Sequence, residues 1–234
     1  MLNTTFWKKY FEVYDLLNEL IPYRELLDKI CEELDVKNGD LVLDAGAGTG
    51  NLGVEIEKRD GRVVGFDLSP EGLGIHKKKT PFAELVIGDL SRPLPFENNY
   101  FDKICSNNTI YTIPRKYRED IFREFYRVLK PRGKVVVSNI TLGFNPFKIY
   151  LTHIKQSFRK IGIMNTMLKV IKLAIPTIKI FYYNHLIQKE DRSGRYDFFE
   201  VDEQKDLLRK TGFTNISENK SVYVGQAVLN TAIK

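Results

Sequence analysis

Apolar residues follow two different spacings along this chain, and the change between them marks its organisation. Over residues 5–34 they recur every three or four positions with a break near Pro22, which predicts two helices. From Leu41 to about residue 140, short β-branched runs alternate with helical stretches. This alternation predicts a parallel sheet whose strands are joined by crossover helices.

Length and turn residues divide the alternating region into elements. The predicted strands are LVLDA (41–45), VVGF (63–66), ELVIG (84–88), DKICS (102–106) and KVVVSNI (134–140), and the predicted helices are Asn51–Lys58, Pro70–Lys78 and Arg115–Leu129. Pro70 suits the first turn of its helix, whereas Pro131 and Gly133 are expected to end the third helix and lead into the next strand.

A segment with helical spacing interrupts this alternation. Its apolar positions are Phe147, Leu151, Ile154, Phe158 and Ile161. They predict two amphipathic helices, broken around Gly162 and kinked or ended at Pro176. After the segment we expect a helix over Asp202–Lys210 and an antiparallel pair of strands over Phe213–Glu218 and Val222–Leu229.

These elements predict three regions. Residues 1–38 form a helical cap, residues 39–142 and 191–234 form the main domain, and residues 143–190 form a basic amphipathic insertion. The 234-residue chain is long enough to bury a substantial core.

Composition favours an intracellular globular protein. No continuous apolar run approaches the roughly 18 residues that span a bilayer, and residues 1–15 lack the apolar core of a signal peptide, so we expect a cytoplasmic protein. Cys31 and Cys105, the two cysteines, lie in apolar surroundings and are expected to be buried free thiols. We predict no metal site.

Positive charge is concentrated in the insertion. The net charge is +6, and residues 143–189 contain eight basic side chains and no acidic one: Lys148, Lys155, Arg159, Lys160, Lys169, Lys172, Lys179 and Lys189. The rest of the chain has fewer basic than acidic residues. The basicity therefore belongs to this segment rather than to the whole surface, and it indicates either a local function or a solvated face.

A glycine-rich loop follows the first predicted strand. Gly46, Gly48 and Gly50 allow a tight turn and the close approach of a ligand. Gly48, Gly50 and Gly53 also match the dinucleotide pattern G-x-G-x-x-G, and Asp67 lies 19 residues beyond Gly48, where a ribose-binding acid is expected. The loop alone therefore permits NAD.

Further motifs in order favour a different cofactor. LVLDAGAGTG, GFDLSP, VIGDLSRPLPF, FDKICSNN and EFYRVLKPRGKVVVSN resemble the class I S-adenosylmethionine-dependent methyltransferases, over about residues 40–140 and 195–230. The resemblance implies a Rossmann-like α/β fold. The expected fold has a seven-stranded, mostly parallel sheet with an antiparallel C-terminal strand pair, N-terminal helices and a helical lid insertion. The resemblance also implies S-adenosylmethionine as cofactor and S-adenosylhomocysteine as product.

The resemblance assigns roles to three carboxylates. Asp44 would hold the methionine ammonium group, and a carboxylate there would repel the pyrophosphate of a dinucleotide. Asp67 would accept hydrogen bonds from both ribose hydroxyls, and Asp89 would meet the adenine amino group. The expected cofactor-binding residues are Tyr14, Asp44, Ala45, Gly46, Gly48, Gly50, Asp67, Leu68, Asp89, Leu90 and Asn107.

The catalytic residues are left open. Methyl transfer chiefly requires alignment of the nucleophile with the methyl carbon. Candidate groups are Tyr111, His153 and His185, each of which could instead be structural. His76, beside Lys77–Lys79, is expected to be solvated.

The acceptor is suggested by the N-terminus and the insertion. WKKYFEVYDLLNEL (7–20) resembles the start of ubiquinone and menaquinone C-methyltransferases, which implies a small hydrophobic, quinone-like or lipid acceptor. The basic amphipathic insertion predicts a substrate lid, peripheral contact with the inner membrane surface, or both. Alternatives are an RNA methyltransferase and a noncatalytic S-adenosylmethionine-binding module. The motif SNNTIY differs from the N-P-P-Y motif of methyltransferases that act on the amino groups of nucleobases. This difference argues against a nucleobase acceptor. The oligomeric state stays open.

Overall fold

Seven strands form one sheet in a computed structural model that describes residues 4–192 and 197–234. The strands are β1 Leu41–Ala45, β2 Arg62–Asp67, β3 Glu84–Ile87, β4 Phe101–Asn107, β5 Leu129–Ile140, β6 Lys220–Val222 and β7 Ala227–Ile233. The helices are α1 Thr4–Tyr14, α2 Ile21–Leu34, α3 Asn51–Glu57, α4 Pro70–Lys79, α5 Arg118–Val128, α6 Pro146–Arg192 and α7 Glu203–Lys210. Short 3-10 turns cover Asp15–Glu19, Ile110–Thr112 and Arg115–Tyr117.

The sheet has the order β3-β2-β1-β4-β5-β7-β6. Strands β1 to β5 pair in parallel, and β7 pairs antiparallel with both β5 and β6. This confirms the predicted Rossmann-like fold with an antiparallel C-terminal pair. The carboxyl ends of β1, β2 and β4 consequently meet at one edge of the sheet, where open α/β sheets bind their ligands.

The predicted bounds of the C-terminal strands were wrong. Residues 213–218 run beside β7 but pair with it only at separate points: Thr214 bridges Ile233, and the Ser217 amide donates to the Thr231 carbonyl. The antiparallel pair forms later, between β6 and β7. In addition, α5 ends at Val128 and β5 begins at Leu129, before Pro131.

Alternation along the strands divides the core between the two sheet faces. In β1, Leu43 packs with Phe122 and Phe125 of α5, whereas its neighbour Val42 packs with Leu26 and other residues of α2. All five side chains are buried. Helices on both faces therefore hold the central strands, and with them the edge that carries the glycine loop. Cys31 and Cys105 are buried free thiols, as predicted.

Helix α6 folds back on itself as a hairpin. Gly162 has φ 78° and ψ 169°, and the ring centroids of Tyr150 in the first arm and Phe181 in the second lie 5.8 Å apart. The predicted break at Gly162 is confirmed, but the second arm continues through Pro176, where we expected a kink or an end.

The expectation that no segment could span a membrane was wrong by length and composition. Pro146–Lys189 contains an 18-residue window that is apolar enough to do so, and 6% of that window is buried inside the protein. Length and composition do not distinguish a spanning helix from one that lies on a surface.

Candidate active site

A cavity of about 450 Å³ opens at the carboxyl edge of the parallel strands. The loops after β1, β2, β3 and β4 form one wall, and α1, the following 3-10 turn and α6 form the other. The volume lies within the range typical of small-molecule and cofactor sites. The strand topology thus brings together, in one wall, loops that are far apart along the chain.

Asp44 lies near the end of β1 with its carboxylate facing this cavity. Its Oδ1 accepts a weak hydrogen bond from Cys105 Sγ at 3.8 Å, and its buried Oδ2 has no hydrogen-bond partner. Burial, reinforced by the charge of Asp67, raises the pKa of Asp44 from 3.8 to about 7. A buried acceptor without a donor costs free energy, so this oxygen is suited to a cationic, hydrogen-bond-donating ligand.

Asp67 ends β2 and shapes the glycine loop. Its Oδ2 accepts a hydrogen bond from the Gly48 amide at 2.8 Å, and its Oδ1 accepts one from the Ser69 amide at 2.8 Å. Burial raises the pKa of Asp67, although the backbone donors oppose the shift. Gly48 itself has φ 52°, a conformation that favours glycine. The carboxylate thus joins the ends of β1 and β2 across the cavity floor.

Two adjacent asparagines at the end of β4 add further unpaired oxygens. The Oδ1 atoms of Asn107 and Asn108 are buried without hydrogen-bond partners, and both residues line the cavity. Together with Asp44 Oδ2 they make the strand-end wall rich in acceptors. Such a wall fits a ligand that carries several N–H or O–H donors, and it disfavours an anionic pyrophosphate.

Most of the predicted cofactor residues share this cavity. Tyr14, Asp44, Gly46, Gly48, Asp67, Leu68, Asp89, Leu90 and Asn107 line it. Ala45 and Gly50 do not; the Ala45 carbonyl accepts a hydrogen bond from the Ser106 hydroxyl, and Gly50 lies against His76. These two positions support the loop from behind.

The prediction that His76 is solvated was wrong. Its side chain is fully buried, and neither ring nitrogen has a hydrogen-bond partner. The ring fills the space left by three glycines: a Cβ atom on Gly50, Gly53 or Gly65 would lie 2.1 to 2.8 Å from it. Burial, with Lys79 and Lys77 nearby, lowers the pKa of His76 to about 4, so the ring is neutral at physiological pH.

A polar network connects the N-terminal helices to the glycine loop and to the start of α3. Asp15 Oδ1 accepts hydrogen bonds from the Thr49 hydroxyl at 2.7 Å and from Lys79 Nζ at 2.6 Å. Lys79 also donates to Asn51 Oδ1 at 2.7 Å. Tyr14 therefore has a fixed position over the cavity, where its ring stacks edge-on against that of Tyr10 at 5.2 Å.

The three catalytic candidates separate in the structure. Tyr111 lines the cavity and is buried. His153 is buried outside it and accepts a hydrogen bond from the Ile21 amide through Nδ1 at 3.2 Å, which indicates a role in holding α6 against α2. His185 is exposed and does not line the cavity.

Apolar and aromatic residues form much of the wall opposite the strand ends. Phe11, Ile149, Tyr150, Ile180 and Phe181 line it. These residues were not predicted as site residues from the sequence, and neither were Asn108 and Arg92, which also line the cavity. The doublet in FDKICSNN was the available signal for Asn108; nothing local marked the residues of α6.

Comparison with known proteins gives concordant results. A methyltransferase domain family matches residues 42–133. The demethylmenaquinone methyltransferase of Staphylococcus saprophyticus is 31% identical over 162 residues, which cover 63% of this chain and 68% of that protein. That of Lactobacillus johnsonii is 25% identical, covering 95% of this chain and 93% of the relative.

Solved structures show the same fold. Phosphoethanolamine N-methyltransferase 2 of Haemonchus contortus, in complex with S-adenosyl-L-methionine, has a TM-score of 0.65 at 19% identity, covering 97% of this chain and 57% of that chain. At this identity the likeness concerns the fold alone.

Proposed function

Because this chain belongs to the class I S-adenosylmethionine-dependent methyltransferases, we propose that it methylates a small, uncharged, hydrophobic acceptor of the quinone or lipid type. One observation carries the proposal: a single cavity joins an acceptor-rich wall at the strand ends to an apolar and aromatic wall from α1 and α6. The first wall suits the methyl donor and the second suits the acceptor.

The cofactor supplies an activated methyl group on a sulfonium. In our proposal Asp44 accepts a hydrogen bond from its ammonium group, because the Oδ2 of Asp44 is buried and unpartnered. Asp67 holds the ribose. Asp89, together with Leu68 and Leu90, holds the adenine. Gly46 and Gly48 keep the floor free of side chains, and Tyr14 closes the site from above.

The acceptor side works by positioning rather than by strong acids or bases. Burial raises the pKa of Tyr10, Tyr14 and Tyr223, and raises that of Tyr23 to about 12, so these phenols stay protonated at neutral pH. They donate hydrogen bonds and exclude water. Holding an acceptor in near-attack geometry supplies a large part of the barrier reduction for such a displacement.

The charge of the described lining favours an uncharged acceptor. Its charged side chains are Asp44, Asp67, Asp89 and Arg92, all on the strand-end wall. An RNA substrate needs phosphate-neutralising cations around the site, and Arg92 is the one basic residue of this lining. The relatives named as demethylmenaquinone methyltransferases support a quinone-like acceptor. Such an acceptor is a membrane component, so the proposal includes contact with the inner membrane surface.

Methyl transfer from labelled cofactor tests the proposal directly. We expect label in a demethylmenaquinol analogue with a shortened prenyl tail, and none in phosphoethanolamine or in an RNA oligonucleotide. Label in phosphoethanolamine or RNA instead would overturn the proposed acceptor class. Calorimetry with S-adenosylmethionine and NAD tests the cofactor side separately, since preference for NAD would contradict it.

Asp67→Ala should weaken S-adenosylmethionine binding by about 100-fold or more, because the two hydrogen bonds that we propose from the ribose hydroxyls to this carboxylate are lost. Calorimetry measures this change. Asp102→Ala is the matched control: its Oδ2 also accepts a backbone hydrogen bond, from the Leu41 amide at 3.0 Å, but Asp102 lies outside the cavity lining. Equal losses in both variants would show that the effect is general destabilisation rather than cofactor binding.

Thr177→Glu should raise the KM for the quinol analogue by about tenfold or more while the Kd for S-adenosylmethionine stays unchanged. The substitution puts a carboxylate into the α6 wall of the cavity, and an apolar ligand that covers this charge removes its water without replacing the lost hydrogen bonds. Steady-state kinetics and calorimetry separate the two effects. His185→Glu adds the same charge to an exposed position of the same helix and should change neither constant. An unchanged KM in Thr177→Glu would remove α6 from the acceptor site.

A further inference from the structure

A stripe of exposed apolar side chains runs along the second arm of α6. Its members are Met164, Met167, Leu168, Ile171, Ile175, Ile178 and Tyr182, all more than half exposed. At about 100° per residue, these positions fall within about 60° of a single line along the helix. We call this set the outer stripe. Apolar surface of this extent marks a binding surface rather than ordinary exposure.

The opposite face of the same arm belongs to the protein interior. Thr166 and Ile180 are buried there, and Thr177, Phe181 and Asn184 line the cavity. One helix therefore separates the cavity from the outer stripe. Since its inner face packs against the protein and lines the cavity, this arm is suited to lying along a surface and not to crossing a bilayer.

Basic side chains flank the outer stripe. Lys172 and Lys179 are exposed, and at the helical spacing they lie about 70° to 90° from its centre line, both on the same side. Lys169 is turned away and forms an ion pair with Glu19 at 2.7 Å. In the first arm, exposed Lys148, Lys155 and Arg159 accompany exposed Phe147, Leu151 and Phe158 in the same way. Both arms present apolar and cationic groups together.

We infer that the outer stripe of α6 docks in the interface of an anionic lipid membrane, with its apolar side chains in the acyl boundary and Lys172 and Lys179 at the headgroups. The pairing of an apolar face with flanking cations is the pattern of interfacial helices. Docking would bring the α6 wall of the cavity to the membrane, where a hydrophobic acceptor resides. This last consequence rests on the proposed function; the docking itself does not.

Charge distinguishes the membrane from two other occupants. A second copy of the chain, meeting the outer stripe with its own stripe across a two-fold axis, would bring identical lysines together, and their repulsion opposes that pairing. RNA would neutralise the lysines but leave seven apolar side chains without an apolar partner. An anionic membrane satisfies both components.

Flotation of the full chain with lipid vesicles tests the inference. We expect strong binding to vesicles of phosphatidylglycerol and phosphatidylcholine in equal parts, and weaker binding to phosphatidylcholine alone. Absence of binding to the mixed vesicles would overturn the inference. So would binding to a single-stranded RNA oligonucleotide in place of vesicles, or a dimer in sedimentation that loses its self-association when the stripe is altered.

The double variant Ile171→Gln with Ile175→Gln removes two central side chains of the stripe that are 70% and 71% exposed. Because they make few contacts within the protein, folding should persist, and partitioning to mixed vesicles should fall by at least about tenfold. The matched control replaces Phe82 and Val201, which are also exposed but lie elsewhere, by glutamine. Equal binding by both double variants would contradict the assignment of the stripe.

The double variant Lys172→Gln with Lys179→Gln tests the electrostatic component. Each lysine near an anionic surface contributes about a fivefold change in partitioning, so we expect about a 25-fold loss on mixed vesicles and little change on phosphatidylcholine. The same substitutions at exposed Lys58 and Lys78 are the control. Retention of full binding by the Lys172 and Lys179 variant would show that the lysines are only solvated and would overturn their role.

A parallel measurement keeps this inference separate from the proposed function. The stripe variants should retain the S-adenosylmethionine Kd and the turnover of a short-tailed, water-soluble acceptor, because none of the altered residues lines the cavity. Vesicle binding without turnover of any quinol would leave docking intact and refute the acceptor. Turnover of a quinol without vesicle binding would refute docking and leave the proposed acceptor intact.

Discussion

Asp44→Asn is expected to stabilise the ligand-free protein while nearly abolishing cofactor binding. The carboxyl group of Asp44 has a pKa of about 7 in the fold, against an ordinary value of 3.8, because it is buried and lies near Asp67. A raised carboxyl pKa means that the charged form destabilises the fold. The cost grows as pH rises from about 4 to about 7 and is complete above that, on the order of 2 to 4 kcal/mol.

Asparagine removes this cost but cannot act as the counter-ion of an ammonium group. At pH 8 we therefore expect a higher midpoint of urea unfolding for the ligand-free variant, together with a Kd for S-adenosylmethionine raised by about 30-fold or more. In the unaltered protein the affinity should fall about tenfold per pH unit below pH 7, as protonation of Asp44 competes with the ligand. The variant should lack this acid limb.

Asp102→Asn is the control for the direction of the stability change, because here the fold favours the charged form of the carboxyl group. Hydrogen bonds from Lys130 and the Leu41 amide, with the charges of Lys130 and Lys103, lower the pKa of Asp102 despite partial burial. Its removal should therefore reduce stability slightly at neutral pH and leave cofactor affinity unchanged. If Asp44→Asn also destabilised the ligand-free protein, or bound cofactor normally, the role of the buried carboxylate would be refuted.

The sequence predicted the parallel part of the fold because its signals are local. The strand from Leu41 to Ala45, the glycines after it and the acid at Asp67 each follow from neighbouring residues, and topology then brings Asp44 and Asp67 to one edge. The apolar wall could not be predicted in this way. Ile180 and Phe181 reach the cavity only because α6 reverses at Gly162 and packs back over the strand ends.

His76 shows how a local signal can mislead. The basic run from Lys77 to Lys79 suggested solvent, yet Leu73, His76 and Thr80 follow one another at spacings of three and four and are all buried, as is Gly72, four positions before His76. This helical spacing was present in the sequence. It was missed because a search for apolar residues at helical spacing does not count glycine, histidine and threonine. The same ambiguity affected α6, where both faces carry apolar residues and only tertiary packing determines which face is exposed.

Gly53→Ala should be destabilising in the unaltered protein and well tolerated when His76 is removed. A Cβ atom on Gly53 would lie 2.6 Å from His76 Nε2, an overlap that costs about 1 to 3 kcal/mol. Gly53 lies within helix α3 and has an ordinary φ, so alanine there is otherwise favoured by about 1 kcal/mol. Urea unfolding of both single variants and of the double variant Gly53→Ala with His76→Ala measures the coupling.

Gly50 is the matched position in which that rescue should be incomplete. Its Cβ would lie 2.1 Å from His76 Cδ2, but its φ of 79° is also unfavourable for alanine by about 1 to 2 kcal/mol. His76→Ala relieves the overlap and leaves the backbone strain. We therefore expect Gly50→Ala to remain destabilising in the His76→Ala background, and to weaken S-adenosylmethionine binding there, because the strained residue ends the loop that carries Gly46 and Gly48. Full rescue at both positions would show that the glycine at 50 is required only for space, whereas no rescue at Gly53 would contradict the packing of His76 beneath the loop.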